Sequence, residues 1–193
     1  MDEAGRGALA GPVVAAAYRF HQDGTRVPGL DDCKKLTPKK REEVYLRLTG
    51  GEMGVWAVGE ASVEEIAELN ILVASQLAMR RAFDQMPVCE GVTLVDGLPA
   101  KHLGRDHVAV VGGDALCPSI AAASVVAKFS RDRILFEFSK LYPVYGWDRN
   151  RGYGTAAHLR ALADHGPCPL HRRSFLPVGS SALPGLESSL GGR

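Results

Sequence analysis

Short apolar runs alternate with helical patterns along the chain. The apolar runs predict buried strands at residues 12–20, 55–58, 92–95 and 108–111. Apolar positions recur at helical spacing over residues 39–48, from 63 to about 86, and from 119 to about 141. Strands interleaved with helices predict an α/β fold in which helices are layered on a sheet. The order of the strands does not follow from the pattern.

Capping signals mark where three of the helices begin. Thr37 is placed to be the N-cap of the first, and Ser62 with Glu65 three residues later fits a capping box for the second. Thr155 is placed to be the N-cap of a last short helix that runs to Ala163. These residues predict helix boundaries independently of the apolar pattern.

Length and composition predict one compact domain. The chain has 193 residues, of which 46% are apolar and 23% charged, as is typical of a globular protein with one core. We expect the domain to span residues 1–176, and residues 177–193, rich in Gly, Ser and Pro, to form a flexible tail. No apolar run approaches the roughly 18 residues of a membrane span, and no signal peptide is recognisable. We therefore expect a cytoplasmic monomer that binds no membrane.

Neither the net charge nor the cysteines identify a ligand. The formal net charge is +1, whereas nucleic-acid binding usually shows as a strong basic excess, so any such argument must be local. The cysteines are Cys33, Cys89, Cys117 and Cys168, and none forms a C-x-x-C pair. They predict neither a zinc site nor a disulfide framework, and we expect reduced thiols.

Acidic residues stand at or just beyond the ends of three predicted strand segments. They are Asp2, Glu3, Asp96 and Asp114. If the strand ends converge on one edge of the sheet, these carboxylates repel one another and their pKa values rise unless cations neutralise them. Their hard oxygen atoms suit Mg²⁺ or Mn²⁺, and two such ions about 4 Å apart can activate a water and stabilise the leaving oxygen of a phosphodiester.

Each acid also has an ordinary structural interpretation. Asp2 and Glu3 could simply form a solvated terminus. Asp96 could belong to a turn, and Asp114 could bond to its own loop. The spacing of these residues does not by itself decide between a metal site and four unrelated acids.

The residue sequences of several longer motifs resemble those of one family. The motifs are Asp2-Glu3-Ala4-Gly5-Arg6-Gly7, Asp32-Cys33-Lys34-Lys35-Leu36, Val95-Asp96-Gly97, Gly113-Asp114, Pro118-Ser119-Ile120-Ala121-Ala122-Ala123-Ser124, Gly152-Tyr153-Gly154-Thr155 and His171-Arg172-Arg173-Ser174-Phe175. In this order they resemble bacterial type 2 ribonuclease H, the ribonuclease HII family, over nearly all of residues 1–175. So many long motifs in one order are far more specific than a single glycine pattern.

The resemblance implies a ribonuclease H-like fold, an α/β structure with a central mixed β-sheet flanked by α-helices. It implies that Asp2, Glu3, Asp96 and Asp114 stand where the family carries its four metal-site acids. The implied enzyme is an endoribonuclease that hydrolyses the RNA strand of RNA–DNA hybrids and also cuts at ribonucleotides embedded in duplex DNA. It would use two divalent cations, Mg²⁺ or Mn²⁺, and leave 3′-hydroxyl and 5′-phosphate ends.

The same resemblance assigns residues to the substrate. Gly5, Arg6 and Gly7 match the family's segment that touches the ribose at the cut junction, where the 2′-hydroxyl distinguishes RNA from DNA. Tyr153 matches a tyrosine that stacks on the sugar of the neighbouring deoxynucleotide. Without the family, the first segment is an ordinary tight turn or bulge and the tyrosine a half-buried aromatic.

Basic clusters are available for the phosphates of a duplex. Lys34 and Arg172 belong to two of these clusters and lie inside the matched motifs, so we expect both to contact the backbone. Asp132 is a further acid near the matched motifs, but Lys128 precedes it by one helical turn. That spacing predicts a structural ion pair for Asp132 and not a role in the metal site.

Two positions depart from the family pattern. Cys33 stands where the family usually has serine, a change that alters a hydrogen bond and should not abolish cleavage. Family members also carry residues before the Asp-Glu pair, whereas here Met1 directly precedes Asp2. If Met1 is the true terminus, the strand end can fray, an α-ammonium lies beside the acids, and activity is weakened. We favour a start site assigned too late in the gene.

Three alternatives remain open from the sequence. A related nuclease, such as a junction resolvase, would use the same acids on a different substrate. An enzyme of another chemistry would use paired histidines without metal. The available histidines are His102, His107, His158, His165 and His171, and nothing pairs them in the sequence. A hybrid-binding protein weakened in catalysis by its short N-terminus would bind without cutting.

Overall fold

A computed structural model describes residues 1–30, 36–88 and 90–179 of the chain. The strands in these residues are β1 (Asp2–Ala4), β2 (Val13–Phe20), β3 (Gly54–Ala61), β4 (Leu94–Asp96) and β5 (Val108–Val110). The helices are α1 (Pro38–Thr49), α2 (Val63–Asp84), α3 (Gly113–Leu116), α4 (Pro118–Leu141), α5 (Trp147–Asn150) and α6 (Ala156–His165), with a 3₁₀ turn at Pro143–Tyr145. The predicted α/β class is confirmed.

The sheet is built around β2. This strand pairs antiparallel with β1 on one side, where Asp2 lies opposite Ala16, and with β3 on the other. β4 and β5 pair in parallel. Met1 connects the two groups of strands, because its N–H donates to Leu94 O at 2.7 Å and its carbonyl accepts from the Asp96 N–H at 3.0 Å. The strands thus form a three-stranded antiparallel sheet in the order β3–β2–β1 and a two-stranded parallel sheet of β4 and β5, which Met1 joins beside β1. Antiparallel and parallel pairing both occur, as predicted.

Helices cover both faces of β2. Ala16 and Tyr18 pack in one core cluster with α1 and α4, whereas Ala15 and Ala17 pack in another with α2. All residues from 13 to 18 are buried. The apolar run in the sequence is therefore unbroken because the strand is covered on both sides, as in the interior of layered α/β proteins.

A third core cluster lies at the end of α4. Leu135 of α4 packs there with Trp147 of α5 and with Leu9, which belongs to the loop between β1 and β2. The cluster therefore joins the C-terminal helices to that loop. Val178 is also buried in it, two residues beyond the predicted end of the domain. Residues 180–193 of the predicted tail lie outside the described residues.

The predicted N-caps are confirmed, but one helix contains a break that the sequence pattern did not predict. The side chains of Thr37, Ser62 and Thr155 each accept a hydrogen bond from a main-chain N–H of the first helical turn. Within α2, Asn70 has φ 66° and ψ 164°. Its side chain accepts hydrogen bonds from the N–H groups of Leu72 and Val73 at 3.0 and 3.2 Å. The second part of α2 therefore has an N-cap of its own.

Two sequence expectations concern membranes and thiols. In the described ranges, no helix has the length and apolar character needed to cross a bilayer. Cys117 and Cys168 are free, as predicted. Cys33 and Cys89 lie outside the described residues.

Candidate metal centre and nucleic-acid interface

The fold brings Asp2, Glu3 and Asp96 to the region where β1 and β4 lie side by side, and Asp114 follows a residue that is hydrogen-bonded to Asp96. These four predicted acids are here called the acid cluster. Asp2 and Glu3 belong to β1, and Asp96 is the last residue of β4. Asp96 Oδ1 accepts a hydrogen bond from the Gly113 N–H at 2.7 Å, and Asp114 follows as the second residue of α3. Segments that are far apart in the sequence therefore contribute carboxylates to one region.

Burial dominates the electrostatics of Asp2 and Glu3, and repulsion between neighbouring carboxylates adds to it. Asp2 is 6% exposed, and burial raises its pKa to about 7, with further increases from Glu3 and Asp96 and an opposing hydrogen bond from Ser124. Burial also raises the pKa of Glu3, although the Arg6 guanidinium opposes this shift. For both carboxyls the loss of hydration outweighs the stabilisation that nearby donors and positive groups supply.

The amino group of Met1 lies in the same region. Met1 is 5% exposed, and burial lowers the pKa of its amino group to about 6, although Asp2 and Asp96 favour the charged form. Both the N–H and the carbonyl of Met1 are hydrogen-bonded to β4. Met1 is therefore held against β4 through both of its polar main-chain groups.

The acids are engaged with protein donors. Glu3 accepts from Arg6 Nη1 at 3.0 Å, and Asp2 accepts from the Glu3 N–H at 2.7 Å. Across residues 1–30, 36–88 and 90–179, no three Asp, Glu, His or Cys side chains form a group that could hold a metal ion as they stand. The hard oxygen atoms of the acid cluster and the raised pKa values of Asp2 and Glu3 nevertheless fit a divalent cation. Cation binding would require the carboxylates to exchange partners.

A tight turn of residues 5–8 lies directly after the first two acids. The Ala8 N–H donates to Gly5 O at 3.3 Å, which places Arg6 and Gly7 at the two central positions of the turn. Gly5 has a φ of 93°, and an added Cβ would collide with the guanidinium of Arg131. Glycine is therefore required at Gly5 by both conformation and packing. The central residues, Arg6 and Gly7, are exposed.

Two buried arginines hold this turn and the loop after it. Arg131 and Arg172 are both 0% exposed. Their donors reach five main-chain carbonyls at 2.9–3.0 Å, those of Ala10, Pro12 and Arg151 from Arg131, and those of Arg6 and Gly11 from Arg172. Burial and the positive charge of Arg131 lower the pKa of Arg172 to about 9, so it is still a cation at neutral pH.

The structure contradicts the phosphate contact predicted for Arg172. A fully buried guanidinium whose donors face main-chain carbonyls presents no surface to a duplex. The sequence was misleading because His171, Arg172 and Arg173 form a basic run, which usually indicates a solvated face; only Arg173 of the three is exposed. Lys34, the other predicted phosphate contact, lies outside the described residues.

Tyr153 lies on a second loop that docks against the first. The Leu9 N–H donates to Gly152 O at 2.7 Å, and a Cβ on Gly152 would lie 2.8 Å from Ala10 O. The Tyr153 ring is 36% exposed, and the Lys128 ammonium lies 5.5 Å from its centroid. We call the surface formed by residues 5–7 and 152–154 the junction platform.

A buried histidine pair behind Tyr153 was missed by the sequence analysis. The Nε2 atoms of His158 and His171 are 3.1 Å apart, and the two residues are 0% and 1% exposed. His158 Nδ1 lies 2.9 Å from Tyr153 O, so it must carry the proton and donate. His171 Nδ1 accepts from the Cys168 N–H at 3.0 Å, which leaves the proton on its Nε2. The pair therefore holds the main chain of Tyr153.

This pairing does not favour the metal-free alternative. Burial lowers the pKa of both histidines, that of His171 to about 4. A general acid or base must reach the substrate. His158 and His171 are neutral and enclosed, and their ring nitrogens are hydrogen-bonded within the protein. Their role is therefore to stabilise the loop that carries Tyr153.

Two of the basic residues of helix α4 have different roles. Lys128 Nζ lies 2.7 Å from Asp132 Oδ1, which confirms the predicted ion pair. Arg131 instead lies on the buried face, one turn after Ala127 and one turn before Leu135, both of them fully buried. That helical spacing is the signal that could have identified Arg131 as an interior residue.

Comparisons of the sequence with known proteins agree with its motifs. A family model described as Ribonuclease HII matches residues 1–178. A ribonuclease HII of Rhizorhabdus wittichii is 53% identical over 184 residues, which cover 95% of this chain and 89% of that protein.

Two solved structures have a similar fold. The ribonuclease H2 of Pyrococcus horikoshii is similar with a TM-score of 0.76 and 24% identity, covering 92% of this chain and 93% of that one. A structure described as Bst-RNase HIII in complex with Mn²⁺ is similar with a TM-score of 0.71 and 17% identity, covering 92% and 66%. The predicted ribonuclease H-like fold is confirmed.

Proposed function

The chain belongs to the ribonuclease HII family, and we propose that this endoribonuclease hydrolyses the RNA strand of RNA–DNA hybrids and also cuts at ribonucleotides embedded in duplex DNA. The proposed products carry 3′-hydroxyl and 5′-phosphate ends. The observation that carries the proposal is the position of the acid cluster directly beside the junction platform, with Glu3 bonded to Arg6 at 3.0 Å.

The acid cluster is proposed to hold two divalent cations, Mg²⁺ or Mn²⁺. The support is the number of carboxylates in one region and the raised pKa values of Asp2 and Glu3, which a cation would relieve. When bound, such cations lower the pKa of an attacking water and neutralise the charge that develops on the leaving oxygen. The likeness to a ribonuclease structure in complex with Mn²⁺ is consistent with this ligand class.

The protein's own groups are proposed to position the duplex. Gly7 is exposed, and a Cβ there would meet no atom within 4 Å, so a sugar can approach the main chain closely. The exposed part of the Tyr153 ring is available to stack on the neighbouring deoxyribose. Lys34 remains a proposed contact to phosphate.

Substitution of one acid tests the catalytic part of the proposal. Asp96→Asn should lower hydrolysis of a hybrid by at least about a hundredfold while the affinity changes by less than about threefold, because the cations act mostly on the transition state. Single-turnover cleavage and metal-free binding measure the two effects. Asp132→Asn is the matched control, since Asp132 makes an ion pair with Lys128, and it should retain most of the activity.

The outcomes of this experiment separate the alternatives. Full activity in Asp96→Asn would remove that residue from the catalytic machinery. Cleavage that survives exhaustive chelation would support the metal-free chemistry. Binding without cutting at any Mg²⁺ or Mn²⁺ concentration would support the hybrid-binding protein, and cutting of an all-DNA four-way junction would support the junction resolvase.

Substitutions in the junction platform test the substrate part. Arg6→Ala and Tyr153→Ala should reduce cleavage at a single ribonucleotide embedded in DNA more than cleavage of a continuous hybrid, because only the former needs one ribose and one deoxyribose to be distinguished. Rates on the two substrates are compared in parallel. An unchanged ratio of rates in both variants would contradict the proposed role of the platform.

A further inference from the structure

The turn of residues 5–8 is of a kind that can adopt two forms. Type I and type II turns differ by a flip of the peptide group between their two central residues, which here are Arg6 and Gly7. Type II requires a positive φ at the second central residue, which glycine tolerates. The φ of Gly7 lies outside the left-handed region. The turn is therefore not in the type II form, although its sequence permits that form.

Arg172 contacts the peptide group that would flip. Its Nη1 donates to Arg6 O and its Nε donates to Gly11 O, both at 2.9 Å. Two bonds from one planar guanidinium fix the direction of the Arg6 carbonyl relative to the loop behind it. Among the described residues, Arg172 Nη2 is buried without a hydrogen-bond partner, which costs stability. The placement of Arg172 therefore secures the orientation of the carbonyl at the expense of one unpaired donor.

The inward carbonyl turns the next N–H toward the surface. In a trans peptide group the C=O and the N–H point in opposite directions. Because Arg172 is fully buried and Gly7 is exposed, the Gly7 N–H faces outward. Within the described ranges, this N–H donates to no acceptor. An unpaired donor thus lies on an open surface four residues after Glu3.

We propose that Arg172 is a positioning residue that locks the Arg6–Gly7 peptide group so that the Gly7 N–H is presented to the 2′-oxygen of a ribose. The inference rests on the proposed function and adds the residue that keeps the Gly7 N–H of the junction platform at the surface. Without Arg172 the peptide group can flip, and the Arg6 carbonyl then replaces the N–H at the surface. The 2′-oxygen then loses its donor, and the hydroxyl can bond to the platform only by turning its own proton toward the Arg6 carbonyl, an arrangement for which the platform is not set. Phosphate contacts, which RNA and DNA share, are retained.

Binding in the absence of divalent metal tests this role without cleavage. The dissociation constants of an RNA–DNA hybrid and of an all-DNA duplex of the same sequence are measured, and their ratio gives the hybrid preference. Arg172→Gln should reduce this preference by about three- to tenfold, the effect of one hydrogen bond. A merely structural role would lower the active fraction, change both apparent affinities by the same factor and leave the ratio unchanged.

Two further variants separate orientation from charge and from instability. Arg172→Lys keeps a buried positive charge, but one ammonium cannot hold both carbonyls in a fixed plane, so the preference should fall as in Arg172→Gln. Arg81→Gln is the matched control, because Arg81 also donates to a main-chain carbonyl, that of Glu60, but belongs to α2. It should lower the thermal stability and keep the ratio. Full rescue by Arg172→Lys would overturn the proposal in favour of charge.

Variants of Gly7 keep the proposal testable if the Arg172 variants do not fold. Gly7→Pro removes the N–H itself and also disfavours this turn, in which proline is unfavourable at the second central position, so it should lose the preference at least as fully as Arg172→Gln. Gly7→Ala, which keeps the N–H and has room for a Cβ, should lose less. A wild-type ratio in Arg172→Gln and Gly7→Pro would overturn the inference while wild-type cleavage still supported the proposed function. A wild-type protein that neither cleaves the hybrid nor prefers it to DNA would instead overturn the proposed function.

Discussion

The acid cluster and the junction platform are adjacent but opposite in construction. In the acid cluster, buried carboxylates lie near one another, and the pKa values of Asp2 and Glu3 are raised. In the junction platform, main-chain carbonyls are met by the Arg172 guanidinium and by a ring N–H of His158, and Arg131 meets carbonyls of the loops that carry the platform. In one region nearby positive groups compensate the buried carboxylates only in part, and the other is largely satisfied without any ligand.

This difference indicates how the two regions divide the work. A surface whose hydrogen bonds are already formed needs little reorganisation when a duplex binds, which favours recognition. Carboxylates whose charge is compensated only in part gain most from a cation, so the chemistry is conditional on metal. The contrast also predicts that charge removal has opposite effects on stability in the two regions.

The largest effect on stability is expected from the junction platform. Arg131→Met leaves the buried carbonyls of Ala10 and Pro12 and the half-buried carbonyl of Arg151 without their donor and should lower the free energy of unfolding by about 3–5 kcal/mol. Urea denaturation measures this change. Arg133→Met, the same substitution at an exposed neighbouring position, should cost less than about 0.5 kcal/mol. Equal costs would remove the contrast between the two regions.

The next effect is an opposite response of the two regions to acid. Burial lowers the pKa of His171 from 6.5 to about 4. Between these pH values the unfolded chain therefore binds a proton at this residue that the native protein does not bind. This group therefore lowers stability as the pH falls from 6.5, by about 2 kcal/mol at pH 5. The pKa of Asp2 is raised from 3.8 to about 7, so between these values the native protein binds the extra proton. This group raises stability as the pH falls from 7.

Single substitutions can separate these two contributions. In metal-free denaturation between pH 7.5 and pH 5, Asp2→Asn should lose stability more steeply than the wild type, because the stabilising protonation of Asp2 is removed while the histidine effect remains. His171→Asn should lose it less steeply or gain stability. Curves that stay parallel for all three proteins would contradict the assigned pKa shifts.

The smallest of these effects concerns the contact between the two loops of the platform. Gly152 has a φ of 81° and a Cβ there would lie 2.8 Å from Ala10 O, so Gly152→Ala should cost about 2 kcal/mol through strain and displacement. Gly24→Ala is the matched control, since its φ is 76° and its surroundings are open. The excess cost at Gly152, measured by thermal unfolding, reports the docking of the loops. No excess would mean that the loops are not tightly docked.

Most elements could be predicted because their signals are local. The caps at Thr37 and Ser62 act on the next turn of chain, and the apolar run of β2 follows from its burial on both faces. β3 is longer than the predicted residues 55–58, because Gly59 and Glu60 continue the pairing with β2 although they interrupt the apolar run. Pairing through the main chain leaves no mark on the side-chain pattern.

The acid cluster was recognised through motifs, whereas the supports of the platform were not. Arg172 bonds to carbonyls of residues that lie 161 and 166 positions earlier. Every residue carries a main-chain carbonyl whatever its side chain, so no sequence pattern identifies the carbonyls that an arginine contacts. The pairing of His158 with His171 likewise depends on how α6 and the following loop fold back on each other.

The break at Asn70 has a consequence for local motion in α2. Residues 63–69 make up only about two helical turns, too short a helix to persist by itself, and are joined to the rest of α2 through a non-helical residue. This segment depends on the burial of Ile66 against the sheet. Its amide hydrogens can therefore exchange with solvent through a partial opening that spares the second half of the helix, where Ala74, Ala78 and Met79 anchor the chain.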